Sequence, residues 1–333
     1  MANFLVTGGA GFIGSHLVEL LMKNDHSVTV IDNLSTGVLD NLSAVTAKNG
    51  FKFVEIDINL VTPDFFKEEI FDGIFHLAAL ADIVPSISDP TSYFEANVSG
   101  TLRMLQLARR DKSKFVYAAS SSCYGLADVF PTNEEAAIQP MYPYALTKYM
   151  GEELVLHWSE VYSVDAVSLR LFNVYGARSK STSNYGAVMK VFLAQKRAGL
   201  PLTVVGDGSQ QRDFVNVLDV VEAFYRAFCT VSTFKVYNVG SGSPVTISDI
   251  ANKFGGEVVH IPWRPGEPKI THANISRITS CLKWYPSIDL DSGVDQVLAH
   301  NSDSATVSEK AWTQEEISVQ TSDWFRFLSR KIN

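Results

Sequence analysis

Residues 3–16 read Asn3-Phe4-Leu5-Val6-Thr7-Gly8-Gly9-Ala10-Gly11-Phe12-Ile13-Gly14-Ser15-His16, and they decide the fold. A short apolar run leads into glycines spaced three residues apart, and leucines at helical spacing follow. The pattern predicts a strand, a tight turn and a helix. Gly8 permits the turn, Gly11 lets the backbone approach a pyrophosphate, and Gly14 lets the helix pack closely on the sheet.

A second apolar run over residues 26–31 ends at Asp32, about twenty residues beyond the glycines. In dinucleotide-binding folds an acidic residue at this distance binds the ribose hydroxyls. The glycines alone could form an ordinary loop, but the glycines and the acid together predict a site for NAD(H). No arginine stands beside Asp32, and this favours NAD over NADP.

The composition excludes several classes of protein. The chain has 333 residues, 46% of them hydrophobic, and a net charge of −8, which argues against non-specific nucleic-acid binding. The chain has no long uncharged apolar run, and its first strand begins almost at once. We therefore expect a cytoplasmic protein with neither a membrane span nor a signal peptide. Cys123, Cys229 and Cys281 have neither disulfide nor zinc spacing, so no metal is expected.

Strand signals alternate with helical patterns over about 170 residues, and they predict an α/β fold with a doubly wound parallel sheet. The predicted strands span residues 4–7, 27–31, 51–56, 73–77, 115–119 and 166–171. We expect an NAD-binding Rossmann domain over residues 1–172, to which the chain returns at about 213–242. Residues 173–212 and 243–333 are expected to form a smaller substrate domain.

Three residues could carry acid–base chemistry. Ser120 ends a predicted strand, and Tyr144 and Lys148 stand four residues apart on a helix that Pro143 can begin. A lysine ammonium beside a phenol favours the phenolate and would make the tyrosine a base near neutral pH. Tyr-x-x-x-Lys pairs are common on helix surfaces, but the upstream dinucleotide motif and the strand-end serine favour a catalytic role.

Together these motifs resemble the extended short-chain dehydrogenase/reductases of the nucleotide-sugar epimerase and dehydratase group. The resemblance covers residues 3 to 290 and includes 170–176 (Arg-Leu-Phe-Asn-Val-Tyr-Gly), 206–214 (Gly-Asp-Gly-Ser-Gln-Gln-Arg-Asp-Phe) and 264–267 (Arg-Pro-Gly-Glu). It implies that the cofactor contacts are Gly8, Gly11, Phe12, Ile13, Asp32, Asn33, Asp57, Ile58, Leu77, Ala78, Ala79, Asn97, Tyr144 and Lys148. It also implies that the substrate contacts are Ser121, Ser122, Asn173, Ala187, Val188, Arg212, Arg264, Glu267 and Thr271.

The reaction follows from what stands after Ser120. Dehydratases of the group carry an Asp-Glu pair there, whereas this chain has Ser121 and Ser122, which cannot take those roles. The resemblance therefore implies a UDP-sugar 4-epimerase, in which hydride is removed from C4 and returned to the opposite face. Thr271 matches a gate that is small in enzymes accepting N-acetyl sugars, so UDP-GlcNAc/UDP-GalNAc is slightly preferred over UDP-Glc/UDP-Gal. Ala81 stands where some galactose-type epimerases carry a lysine.

Other interpretations remain open at this point. The substrate could be a UDP-uronic acid or a CDP-, dTDP- or GDP-sugar, although Asn173 weakly disfavours a uronic acid. A non-catalytic NAD-binding sensor is a hypothesis of a different class. By the same resemblance we expect a homodimer, formed through helices over residues 92–110 and 145–162. A polar stretch over residues 301–309 and an amphipathic tail over 317–328 have no assigned role.

Overall fold

The structure is a computed structural model that describes residues 1–179, 188–231, 234–263 and 266–299, together with Trp324 and Phe327. Ala187, Arg264 and nearly all of the tail beyond residue 300 therefore lie outside the described residues. The described strands are β1 (Asn3–Thr7), β2 (Ser27–Asp32), β3 (Phe51–Glu55), β4 (Gly73–His76), β5 (Lys114–Ser120), β6 (Ala166–Leu171), β7 (Asn173–Tyr175), β8 (Leu202–Val205), β9 (Gln211–Arg212), β10 (Phe214–Asn216), β11 (Val236–Val239), β12 (Val245–Thr246) and β13 (Val258–Ile261).

Helices connect and cover these strands. The described α-helices are α1 (Phe12–Lys23), α2 (Ile83–Ser88), α3 (Pro90–Phe94), α4 (Gly100–Asp111), α5 (Pro143–Val161), α6 (Val188–Arg197), α7 (Val217–Cys229), α8 (Ile247–Phe254), α9 (Ser276–Leu282) and α10 (Leu290–Ala299). Shorter 3₁₀ turns span Leu39–Leu42, Ile58–Leu60, Pro63–Phe66 and Ser121–Tyr124. No helix in these ranges is both long enough and apolar enough to cross a lipid bilayer.

The central sheet has seven strands in the order β11-β6-β5-β4-β1-β2-β3, and every pairing is parallel. The strand order reverses between β1 and β4. In a doubly wound sheet, ligands bind at such a switch point, beyond the carboxyl ends of the strands. The α/β class, the doubly wound sheet and the six strands predicted from the sequence are confirmed.

Two apolar clusters lie on opposite faces of this sheet. One contains α1 and α7, with Leu17 and Phe224 completely buried, and the other contains α4 and α5, with Leu105 and Val155 completely buried. Each face buries a continuous apolar layer, as expected for parallel strands covered on both sides.

The remaining strands form three small two-stranded sheets, in which β7 pairs with β10, β8 with β13, and β9 with β12. A separate apolar cluster, around Phe192 and Phe254, packs α6 and α8 near β8. Helix α9 differs from expectation, because Ile278 and Leu282 join the first cluster of the central sheet. The helix contacts β11 and α7, so this segment of the expected substrate domain packs on the NAD-binding side.

The helix expected over residues 92–110 is not regular. It consists of α3, a π-helical turn at Glu95–Ser99, and α4. Asn97 lies within the wide turn and is fully buried. Such turns recur at functional sites because they redirect a side chain without ending the helix.

Candidate active site

A cavity of about 460 Å³ opens at the carboxyl ends of β1, β2 and β4, at the switch point of the sheet. Its walls come from the glycine turn, the end of β2, the 3₁₀ turn at Ile58–Leu60 and the loop after β4. The predicted cofactor contacts that line it are Gly8, Gly11, Phe12, Ile13, Asp32, Asn33, Asp57, Ile58, Leu77, Ala78 and Ala79. These are eleven of the fourteen predicted cofactor contacts.

The glycine turn leaves room for a diphosphate. Gly8 has a φ of +68°, and a Cβ there would stand 2.7 Å from the Ala78 backbone nitrogen. A Cβ on Gly14 would stand 2.2 Å from the Gly8 carbonyl oxygen, so α1 can begin this close to β1 only through glycine. Gly11 caps α1 without a side-chain hydrogen bond, and the first turn has no acidic residue. The amide groups at this end of α1 therefore suit an anion.

Asp32 is held in place by backbone amides. Its carboxylate accepts hydrogen bonds from Ala10 N–H at 3.0 Å and Leu34 N–H at 2.8 Å. Burial raises the pKa of Asp32, and these two amides lower it. Asn33 donates to Asp57 Oδ2 at 2.9 Å, so two predicted adenosine contacts also bind each other. The cavity, its glycine cradle and these acids fit a dinucleotide.

A buried hydrogen-bond chain fixes the loop that follows β4. The Thr7 hydroxyl accepts from Leu77 N–H and Ala78 N–H and lies 2.7 Å from His76 Nδ1. With its acceptor positions occupied, that hydroxyl donates to Nδ1, which leaves the proton of the imidazole on Nε2, 3.0 Å from Thr101 Oγ1. Burial lowers the pKa of His76 to about 3, so the ring is neutral.

Asn97 positions this loop and is not part of the cavity wall. Its side-chain oxygen accepts from Leu80 N–H at 2.9 Å, and its amide donates to the Leu80 carbonyl and to Thr147 Oγ1, each at 3.0 Å. Both amide protons are therefore used within the protein. Its predicted role as a direct cofactor contact stays a prediction.

The three predicted catalytic residues lie together at the ends of β5 and α5. Ser120 ends β5, and Tyr144, in the first turn of α5, lies close enough for the Ser120 hydroxyl to affect its pKa. Burial raises the pKa of Tyr144, and the Ser120 hydroxyl is the main group that lowers it. The sequence instead predicts this effect for the Lys148 ammonium.

Lys148 is buried beside an aromatic ring. Its Nζ lies 4.3 Å from the centroid of Tyr117, whose hydroxyl donates to the Lys148 carbonyl. Burial lowers the pKa of Lys148 to about 7, and Glu152, one helical turn further on, raises it. In this arrangement the lysine can gain or lose a proton near neutral pH.

Four of the predicted substrate residues form two hydrogen-bonded pairs. Arg212 is 8% exposed and pairs with Glu267 at 2.9 Å. Burial lowers the pKa of Arg212, and Glu267 raises it. The Thr271 hydroxyl donates to Asn173 Oδ1 at 3.1 Å and accepts from Asp213 N–H at 3.2 Å. Val188 begins α6, while Ser121 and Ser122 begin the 3₁₀ turn after Ser120.

The structure also shows residues that sequence reasoning missed. Asp82, Arg178 and Lys190 line the cavity, and Tyr142 stacks parallel to Tyr144 with ring centroids 6.4 Å apart. Only Tyr142 had a local signal, since it stands two residues before the predicted base. Lys190 reaches the cavity from α6, an approach that sequence spacing does not reveal.

Comparisons with known proteins agree with this geometry. The family model "NAD dependent epimerase/dehydratase family" matches residues 4–240. A UDP-glucose 4-epimerase of Mycolicibacterium smegmatis is 35% identical over 87% of this chain and 95% of its own length.

Two solved structures share the fold at 31% identity and a TM-score of 0.83. One is UDP-glucose 4-epimerase from Thermotoga maritima with UDP-glucose, matched over 89% of this chain and 97% of that one. The other is UDP-N-acetylglucosamine 4-epimerase from Methanobrevibacter ruminantium with UDP-N-acetylmuramic acid, matched over 90% and 98%. The chain therefore belongs to the NAD dependent epimerase/dehydratase family, with NAD as its cofactor.

Proposed function

We propose that this chain is a UDP-sugar 4-epimerase that interconverts gluco- and galacto-configured substrates and keeps NAD tightly bound. The observation that carries the proposal is the convergence of Ser120, at the end of β5, with Tyr144 and Lys148, in the first turns of α5, in a fold with a dinucleotide cavity at its switch point. The 3₁₀ turn that follows Ser120 begins with two serines. Neither Ser121 nor Ser122 can supply the additional acid and base that a dehydration needs. Removal and return of a hydride need no acid–base group besides Tyr144.

The protein residues move one proton in each direction. Tyr144 as the phenolate takes the proton of the C4 hydroxyl, while Ser120 hydrogen-bonds the same oxygen. NAD, when bound, would supply the acceptor for the hydride of C4 and the donor for its return. After the 4-keto sugar has rotated and presents its opposite face, Tyr144 gives its proton back to the C4 oxygen. In its protonated form, Lys148 favours the phenolate during the first transfer.

The nucleotide half of the substrate anchors the molecule and leaves the sugar free to turn. We assign this half to Asn173, Val188 and Arg212, with Ala187 and Arg264 added by family resemblance. A guanidinium binds a diphosphate through charge-assisted hydrogen bonds. Arg212 is already paired with Glu267, which keeps its buried charge compensated before substrate arrives.

For the sugar, we propose a slight preference for UDP-GlcNAc/UDP-GalNAc over UDP-Glc/UDP-Gal. Thr271 supports it, because a small gate side chain leaves room for a 2-acetamido group. The alternatives are a UDP-uronic acid or a CDP-, dTDP- or GDP-sugar. A non-catalytic NAD sensor is disfavoured, since Ser120, Tyr144 and Lys148 are all present and adjacent.

We also propose that the protein is a homodimer that pairs α4 and α5 of two subunits. Leu146 and Val161 on α5 are 47% and 55% exposed, and Phe94 on the adjoining α3 is 43% exposed. Exposed apolar side chains on adjacent helices suit burial in a helical bundle. Light scattering tests this: Leu146→Glu should give monomers, whereas Val129→Glu, at a 69% exposed site outside α3, α4 and α5, should not.

The experiment for the activity is an NMR time course of the purified protein with UDP-GlcNAc and, separately, with UDP-glucose, without added NAD. Formation of the galacto-configured product from either substrate supports 4-epimerisation with retained cofactor. The relative rates test the preference assigned to Thr271. If neither substrate changes, a uronic acid or non-UDP donor is tested next, and a lack of turnover with all of them would leave the sensor.

A further inference from the structure

Two basic side chains reach the dinucleotide cavity from outside the unit that carries the glycine turn. Within the described part of the chain, the basic residues of the cavity wall are Arg178 and Lys190. Arg178 lies in the loop after β7, and Lys190 lies in the first turn of α6. Both therefore come from the chain beyond β6, and no role has been assigned to either so far.

Both side chains lie against the beginning of α1. Arg178 Nη1 donates to Ser15 Oγ at 3.3 Å, and Arg178 Nη2 donates to Glu19, one helical turn further on. Lys190 Nζ lies 5.8 Å from the centroid of the Phe12 ring. Phe12 and Ser15 belong to the end of α1 whose amide groups suit an anion. Two cations thus lie beside the part of the cavity that suits a diphosphate.

The backbone at Arg178 is also unusual. Its φ is +61°, in the left-handed region that residues with a Cβ rarely adopt. Such conformations carry a cost, and they cluster at ligand-binding sites. The ion pair with Glu19 is partly exposed, and pairs of this kind contribute little to stability. A stabilising role alone therefore accounts poorly for the position of this arginine.

The charges of the wall explain why cations are needed there. Among the described residues, the carboxylates that line the cavity are those of Asp32, Asp57, Asp82 and Glu95. The N-terminus of a helix supplies only roughly half of an elementary charge. A dinucleotide diphosphate is doubly negative, so α1 alone does not compensate it. Arg178 and Lys190 supply the additional positive charge.

We propose that Arg178 and Lys190 bind the diphosphate of NAD and so slow the release of the cofactor. A guanidinium has five N–H donors, so Arg178 can bind a phosphate oxygen while it stays bonded to Ser15 and Glu19. The Lys190 ammonium adds a second positive charge. Burial lowers the pKa of Lys190, and Asp82 raises it. A diphosphate beside the amine favours its charged form in the same way.

The diphosphate of a UDP-sugar has the same chemistry, but the contacts of the two cations favour NAD. They lie against Phe12, Ser15 and Glu19, all of them in α1. Arg212, which we assign to the substrate, does not line this cavity and pairs with Glu267. The inference goes beyond the proposed epimerisation, because it concerns the cofactor and no particular sugar.

The test measures the binding of NAD, ADP-ribose and adenosine by calorimetry, after bound nucleotide has been removed from the full chain. Arg178→Gln and Lys190→Gln should each weaken the binding of NAD and of ADP-ribose about tenfold, the effect of one lost charge-assisted hydrogen bond. Adenosine has no phosphate, so its affinity should not change. In the double variant, the affinity for NAD should also depend less on salt concentration than in the wild type.

Glu19→Gln separates ligand binding from a structural role of Arg178. It breaks the same ion pair but leaves the guanidinium, so the affinity for NAD should be kept or increased. If Arg178 only fastened α1, Glu19→Gln would weaken NAD binding as much as Arg178→Gln does, and the proposal would be wrong. Lys23→Gln, at an exposed site in the last turn of α1, controls for the change in net charge and should leave all three affinities unchanged.

Unchanged NAD affinity in both Arg178→Gln and Lys190→Gln would overturn the proposal, and so would an equal loss of affinity for adenosine. UDP binding, measured at saturating NAD, should be the same in the wild type and both variants. Weaker UDP binding with unchanged NAD binding would assign the two cations to the substrate instead. These measurements need no turnover. If the wild type epimerises no UDP-sugar, the proposed function fails, and the NAD affinities still decide this inference.

Discussion

At the scale of single residues, Tyr144 is the group on which the chemistry depends. Tyr144→Phe removes one oxygen and little packing, so we expect kcat to fall by about 10²- to 10⁴-fold, the range typical of a lost acid–base group. NAD should remain bound, because the cavity wall is formed by other residues. NMR measurement of product formation checks the fall in kcat. The absorbance of NAD released by denaturation checks that the cofactor remains bound. Wild-type activity in this variant would exclude Tyr144 as the base.

Thr271 controls space in the assigned substrate region. Thr271→Tyr should exclude N-acetylated substrates and retain turnover of the plain hexoses, because a larger ring would occupy the room for the 2-acetamido group. The substitution also removes the Thr271 hydroxyl that binds Asn173 and Asp213. Thr271→Val, which removes that hydroxyl at similar size, is therefore the control. If Thr271→Tyr lost activity equally with N-acetylated and plain substrates, or lost none with either, Thr271 would not be the gate.

At the scale of an element, the turn between β1 and α1 depends on glycine for space as well as for conformation. Gly8 and Gly199 both have a φ of +68°, but only Gly8 has neighbours within 4 Å of an added Cβ. Gly199→Ala should cost about 1 kcal/mol from the left-handed backbone alone. Gly8→Ala should cost about 1–3 kcal/mol more from overlap with Ala78, and it should weaken NAD binding.

Chemical unfolding of both variants, with and without NAD, separates the cost of the left-handed backbone from the cost of overlap with Ala78. Gly199→Ala should keep the full stabilisation by NAD, whereas Gly8→Ala should lose much of it. Equal destabilisation of the two variants would show that the backbone conformation, and not the approach of Ala78, requires glycine at position 8.

Much of the site could be predicted because its elements are local in sequence. The glycine turn, Asp32 and the Tyr144/Lys148 pair each depend on spacing within one strand–helix unit. Arg178 and Lys190 could not be placed in this way, because their approach to the cavity depends on how separate segments meet in space. The pKa of Lys148 could not be predicted for the same reason, since its burial against Tyr117 is a tertiary effect.

At the scale of the whole molecule, the neutral His76 makes stability depend on pH. Its folded pKa is about 3, whereas an unfolded histidine titrates near 6.5. Between these values the unfolded chain binds a proton that the folded chain does not, so stability is lost as pH falls below about 6.5. Each pH unit below this value should cost about 1.4 kcal/mol from this one group.

Urea unfolding at several pH values between neutrality and the onset of acid denaturation measures this dependence. In His76→Gln, the free energy of unfolding should depend less steeply on pH, by the equivalent of one bound proton. This should hold even if the variant is less stable overall. Val129→Gln, at a 69% exposed site without a titratable side chain, is the control and should retain the wild-type slope. A wild-type slope in His76→Gln would show that the acid sensitivity comes from other groups.

The sheet order has a consequence for synthesis of the chain on the ribosome. Strand β6 is covered on its outer side only by β11, which is translated more than sixty residues later, and α1 packs on α7 from the same late segment. The sheet therefore cannot be completed while only its first six strands have been made. Until then the growing chain exposes an unpaired β edge and an apolar helix face, the features that chaperones bind and that promote aggregation.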